Sequence, residues 1–140
     1  MYNVTLIPGD GIGPEVANAT KAVVDATGIQ INWEEVNAGE AVYEKVGTLV
    51  PDEVYASIEK NRLALKGPIT TPIGKGFRSI NVMLRTKYDL YSNVRPSRNF
   101  KGIDTPFNNV NMTIFRENTE GLYIGEEKVV DDNTTEATKR

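Results

Sequence analysis

Val4, Leu6 and Ile7 form a short apolar run that breaks at PGDGIGPE, and such a run followed by a glycine turn predicts a strand entering a helix. Pro14 suits the first helical position, and Val16, Ala19, Thr20, Val23 and Ala26 recur at helical spacing up to Gly28, a residue suited to the position just past a helix end. Ile29, Ile31 and Trp33 alternate as a second strand. Ala38 to Val46 is helix-like and stops at Gly47, and Pro51-Asp52 opens another helix with Val54, Tyr55 and Ile58 facing inward. Leu63 and Leu65 predict a third strand that ends at Gly67-Pro68. Further on, Ile80, Met83 and Leu84 repeat as a helix, with Ser79 at its N-cap. Met112, Ile114 and Phe115 predict a strand that delivers Arg116 and Glu117 at its C-terminal end. Strands alternating with helices place the chain in the α/β class: an incomplete, mostly parallel sheet with flanking helices and right-handed crossovers. After Gly125 the sequence EEKVVDDNTTEATKR is polar and acidic, and read alone it predicts a frayed tail.

Composition narrows the chemistry more than the fold. The 140 residues are 39% hydrophobic and 25% charged, ordinary for a globular domain. No apolar run is long enough to span a bilayer, and MYNVTLIPGD has neither a basic leader nor a signal core, so the expectation is a cytoplasmic protein with no membrane partner. There are no Cys and no His; disulfides, thiolate chemistry and imidazole acid–base work are excluded, and proton transfer falls to Tyr, Lys or a carboxylate. The net charge of -3 is unevenly placed: residues 51–100 carry 9 basic and 4 acidic side chains, against 2 and 7 in residues 1–50 and 5 and 8 in residues 101–140. A basic middle on an acidic chain disfavours nucleic acid and points to a small anion.

The basic excess lies in RSINVMLRTKYDLYSNVRPSR, Arg78 to Arg98, and is echoed in FRENTEGLY, Phe115 to Tyr123. Asn81 and Arg85, four apart, share a helix face, and Ser79 stands at the positive end of the helix dipole. Arg rather than Lys at 85, 95 and 116 suits the planar fork that grips a carboxylate with two hydrogen bonds. A solvated basic face is the competing reading of the same residues. Gly9, Gly11 and Gly13 are spaced G-x-G-x-G before Pro14, which is not the G-x-G-x-x-G dinucleotide fingerprint; they read as a turn. GPITTPIGKG, residues 67–76, follows a strand end, where open α/β sheets bind ligands.

SINVMLR, DLYSNVRP and FRENTEGLY, in register with IPGDGIGPE and GPITTPIGKG, resemble the metal-dependent β-decarboxylating dehydrogenases, the isocitrate and 3-isopropylmalate dehydrogenase family. The resemblance covers nearly the whole chain and implies that family's non-Rossmann fold, with residues 1–90 the start of a large domain, 91–120 the start of a small domain and 121–140 the start of a clasp-like segment. It implies oxidative decarboxylation of a 2-hydroxy acid, with Ser79, Asn81, Arg85, Arg95 and Arg116 binding substrate carboxylates. By the same resemblance, Tyr123 protonates the enol, and Ile69, Thr70 and Thr71 stand at the nicotinamide end of NAD or NADP. Ser79 and Asn81 favour isocitrate, with homoisocitrate or isopropylmalate as rivals. The Mg2+ or Mn2+ ligands, the active-site Lys and the adenosine-binding segment of the family are not matched in this sequence. The expectation is therefore an N-terminal part, inactive alone, working as a homo-oligomer or with a complementing C-terminal part. A non-catalytic tricarboxylate-binding or regulatory module is the alternative.

Overall fold

The computed structural model describes residues 1–70 and 79–138. The chain divides into two compact units, Met1–Ile80 and Asn81–Arg140.

In the first unit, β1 (Tyr2–Ile7) is the central strand of a three-stranded parallel sheet of order β2-β1-β3, with β2 at Ile31–Glu35 and β3 at Ala64–Lys66. A strand flanked on both edges and covered on both faces reads as a continuous apolar run rather than an alternation, and Val4, Thr5, Leu6 and Ile7 are all buried. Thr5 is wholly buried because its hydroxyl has a partner: it lies 2.8 Å from Ser57 Oγ and accepts from Asn61 Nδ2 at 3.0 Å, which offsets the cost of burying a polar group. These bonds seat α3 (Asp52–Asn61) on β1, beside Val54, which has no exposed surface. Helix α1 spans Gly13–Asp25 and α2 spans Glu40–Val46. Helix α2 stops where expected, at Gly47, whose φ of 75° suits a residue without a side chain.

Helix α1 buries Gly13 and Ala17 and leaves Val16 and Val23 exposed. The stripe expected from the spacing lies on the solvent side, since Ala19 and Ala26 are exposed with Val16 and Val23, and the buried face is the one that carries Gly13 and Ala17. A Cβ on Gly13 would lie 2.5 Å from the Pro8 carbonyl oxygen and 2.7 Å from that of Pro68, so the helix starts too close to its neighbours for a larger residue.

In the second unit, α4 (Ile80–Lys87, entering from the last residue of the first unit) buries Ile80 and Leu84, four apart, and is followed by Asp89 at a φ of 48°. β4 (Ser92–Arg98) and β5 (Asn111–Glu117) form an antiparallel ribbon. A 3-10 turn at Gly121–Ile124 follows, then a hairpin of β6 (Glu127–Asp131) and β7 (Thr134–Ala137). The hairpin corrects the expectation of a frayed tail. Its strands are exposed throughout, so backbone pairing forms it without the apolar alternation that a sequence reading looks for. β4 escapes the same reading, because Pro96 and two arginines interrupt its pattern.

Candidate functional site

Ser79 immediately precedes α4, and Asn81 and Arg85 lie one turn apart on it. Arg85 is half-buried and Asn81 exposed. Thr71 and Arg78 lie outside the described residues.

The β4–β5 ribbon brings the other two arginines together. Directly opposed residues of an antiparallel pair point to the same face, and so do residues two apart. Asn93 is opposite Arg116 and Arg95 opposite Ile114, which puts Asn93, Arg95, Ile114 and Arg116 on one face with the two guanidiniums diagonal to each other. Arg95 Nε donates to Asn93 Oδ1 at 3.3 Å. Among the described residues, ion pairs form at Lys21–Asp25 and Lys60–Glu34 and none engages Arg85, Arg95 or Arg116. A face that carries two arginines without ion-pair partners among the described residues suits a ligand with carboxylates.

Tyr123 reaches the same place from the 3-10 turn. Its hydroxyl is hydrogen-bonded by Arg116 Nη2, and the Arg116 guanidinium lies 5.6 Å from the centre of its ring. The connection is held by Glu117, whose carboxylate accepts from Thr119 N at 2.6 Å, Thr119 Oγ1 at 2.7 Å and Glu120 N at 2.8 Å. These bonds, the Thr119 hydroxyl first, hold the Glu117 carboxyl below the usual carboxylate range. Asn118 is 6% exposed, donates its N–H to Tyr91 O at 3.0 Å, and leaves Oδ1 buried with no partner among the described residues. The turn is thus anchored at both ends. Sequence reading missed Glu117 as an organiser, because the self-bonding turn signal belongs to the shorter Asp and Asn side chains.

In the first unit, Ile69 and Thr70 follow the C-terminal end of β3, beside the β1–α1 turn at the end of β1. Ile69 is half-buried and Thr70 exposed. The Thr70 N–H donates to Asp10 Oδ1 at 2.7 Å, and Asp10 N donates to Pro68 O at 3.1 Å. Gly9 has a φ of 85°, and a Cβ there would lie 1.9 Å from Pro68 O. Gly9 thus admits a close approach of two backbones, consistent with the turn reading. Among the described residues no group of three or more Asp and Glu side chains is arranged to hold a metal ion, so no metal centre is built from them. None of the described helices is long and apolar enough to cross a membrane.

Residues 3–140 match the model of the family described as isocitrate/isopropylmalate dehydrogenase. The chain is 44% identical over 138 residues to the mitochondrial isocitrate dehydrogenase [NAD] subunit 2 of Kluyveromyces lactis, covering 99% of this chain and 37% of that protein. It is 45% identical over 139 residues to the human mitochondrial isocitrate dehydrogenase [NAD] subunit alpha, covering 99% of this chain and 38% of the relative. Among solved structures, an isocitrate dehydrogenase from Methylococcus capsulatus superposes with a TM-score of 0.90 at 48% identity, over all of this chain and 42% of that one. The chain therefore spans less than half the length of these relatives. The mitochondrial naming of the curated relatives overturns the expectation of a cytoplasmic protein; a first segment without a leader carries no weight in a chain that matches only part of its relatives. With the motifs, the fold and the family model in agreement over nearly every residue, this chain belongs to the isocitrate/isopropylmalate dehydrogenase family.

Proposed function

We propose that this chain is the substrate-gripping and proton-donating part of an NAD-dependent isocitrate dehydrogenase, inactive until joined by the remainder of the enzyme. The observation that carries the reading is the meeting of Arg116 with Tyr123 on the ribbon face shared with Arg95. In the proposed reaction the substrate's hydroxyl-bearing carbon gives up a hydride and its hydroxyl a proton. The β-carboxylate of the resulting keto acid then leaves as CO2, and the enol carbon takes up a proton. Arg95 and Arg116 hold the carboxylates that stay, each with a fork of two donors. Ser79, Asn81 and Arg85 contribute a hydroxyl, an amide and a third guanidinium from α4 and the residue before it. Tyr123 supplies the proton to the enol carbon, and Arg116 fixes its hydroxyl.

Ile69 and Thr70, with Thr71 outside the described residues, would hold the nicotinamide end of the cofactor. When bound, NAD supplies the hydride acceptor. The names of the relatives favour NAD over NADP. No step is assigned to a divalent cation, because the described residues offer no set of ligands for one. The oligomeric partner in this reading is a second copy or the complementing C-terminal part. Ser79 and Asn81 favour isocitrate, since polar groups that a wrong substrate leaves unpaired discriminate strongly.

The test joins the chain to the missing length of a family member and supplies NAD and Mg2+ with isocitrate or isopropylmalate. NAD reduction that depends on isocitrate supports the reading. Preference for isopropylmalate overturns the substrate assignment, and metal-independent citrate binding by the chain alone would instead favour a binding module.

A further inference from the structure

Asp10 stands between Gly9 and Gly11 in the turn that leaves β1, and nothing in the proposed chemistry uses it. Its two carboxylate oxygens serve different segments. Oδ1 accepts from Thr70 N at 2.7 Å, across 60 residues of sequence, and Oδ2 faces Glu40 N, at the start of α2, at 3.4 Å. Its own N–H donates to Pro68 O at 3.1 Å, and its carbonyl accepts from Gly13 N at 2.7 Å. Backbone and side chain of one residue therefore clamp the Gly67–Thr70 loop from both sides of Ile69.

The surrounding glycines are what make this clamp possible. A Cβ on Gly39, at a φ of 118°, would lie 2.6 Å from Asp10 Oδ2 and 3.3 Å from Ile69 Cγ2. A Cβ on Gly9 would lie 1.9 Å from Pro68 O and 3.1 Å from Ile69 Cγ1. Gly9 and Gly39 thus clear the space around Ile69, and Gly39 also that around the Asp10 carboxylate. A charged acceptor on a backbone N–H gives a stronger hydrogen bond than a neutral one, and at the ends of parallel strands such a bond fixes a loop where ligands are met.

We propose that Asp10 is a positioning residue: its carboxylate holds the Gly67–Thr70 loop against the β1–α1 turn and the start of α2, and so fixes where Ile69 and Thr70 meet the nicotinamide cofactor. The inference rests on the proposed function for its cofactor, and on geometry alone for its clamp. Asp10→Ala removes both acceptors. Asp10→Asn keeps an amide oxygen for Thr70 N and turns a donor toward Glu40 N.

The test has two arms. In the 140-residue chain, amide hydrogen exchange at Thr70 and Glu40 is followed with the β1 amides as a folding control. The Ala variant should speed exchange at both positions by about tenfold or more, and the Asn variant at Glu40 only; a Thr70 amide as slow in the Ala variant as in the parent overturns the clamp. Should the Ala variant fail to fold, the Asn pattern decides, and equal exchange at Glu40 in Asn variant and parent overturns it. In the completed enzyme the Ala variant should raise KM for NAD about tenfold with KM for isocitrate unchanged, and the Asn variant should recover most of that loss. A KM for NAD unchanged by Asp10→Ala overturns the positioning role and leaves the proposed function standing. A parent enzyme without isocitrate-dependent NAD reduction overturns that function, and the exchange arm still decides the clamp.

Discussion

The guanidinium of Arg116 is bonded to the hydroxyl of Tyr123, seven residues on, and lies over the same ring. This contact couples the two roles that the proposed reaction needs, an anchor for a carboxylate and a donor of a proton, because one cation serves both neighbours. In the completed enzyme, Arg116→Lys replaces a fork of donors by a point charge. It should raise KM for isocitrate about tenfold or more and also lower kcat, since Tyr123 loses the partner that holds its hydroxyl. Steady-state kinetics checks both parameters; a change in KM alone would separate the anchor from the acid.

Glu117 keeps the turn between these residues closed only as a carboxylate. Its folded-state pKa is depressed by Thr119 and the backbone N–H groups of the turn. Its contribution to the turn is therefore fully present above the ordinary Glu range, and is lost as pH falls through the lower folded value. Acid titration followed by the NMR shifts of the Thr119 and Glu120 amides should show their hydrogen bonds breaking at a pH below the ordinary Glu range. Glu117→Gln should show the weakened bonds at neutral pH.

Trp33, the single tryptophan, reports a second carboxylate. Its indole Nε1 donates to Asp25 Oδ1 at 2.9 Å, and Lys21 Nζ lies 3.1 Å from Asp25 Oδ2. Trp33 first and Lys21 second hold the Asp25 carboxyl below its usual range. The sign is the same: the bond from α1 to β2 persists as pH falls through the ordinary Asp range and is lost below it. Tryptophan fluorescence should change in that low window, and Asp25→Asn should remove the transition.

The turn glycines separate by what surrounds them. Gly9→Ala meets a carbonyl oxygen and a left-handed φ together, and should cost about 3 kcal/mol or more. Gly11, at a φ of 56°, has no neighbour within 4 Å of a Cβ; Gly11→Ala should cost only about 1–2 kcal/mol, the backbone preference alone. Urea denaturation of the two variants checks the difference.

Elements that bury an apolar face were legible in the sequence. Val4, Leu6 and Ile7 marked β1, and Ile80 with Leu84 marked α4, because burial enforces a pattern. β5 was legible from Met112, Ile114 and Phe115 although it is exposed throughout, whereas β4, β6 and β7 lack such an apolar run and their backbone hydrogen bonds leave no trace in side-chain chemistry. The motif residues Arg116 and Tyr123 were legible as a pair, through the resemblance; that they touch was not, because the contact depends on a turn closed by Glu117. Asp10 was hidden for a different reason. A lone Asp between glycines reads as a turn residue, and its partners at Glu40 and Thr70 are distant in sequence.

In the proposed reaction Tyr123, held by Arg116, is the acid that protonates the enol carbon. Tyr123→Phe keeps the ring and removes the proton donor, and should lower kcat by about 10²–10⁴-fold, with a smaller effect on KM. The most direct measurement gives the completed Tyr123→Phe enzyme the oxidised keto acid, oxalosuccinate, and follows its reduction by NADH and its decarboxylation separately. Reduction should persist while formation of the protonated, decarboxylated product falls. Loss of reduction with decarboxylation and enol protonation intact would contradict it, and would leave Tyr123 a wall of the pocket.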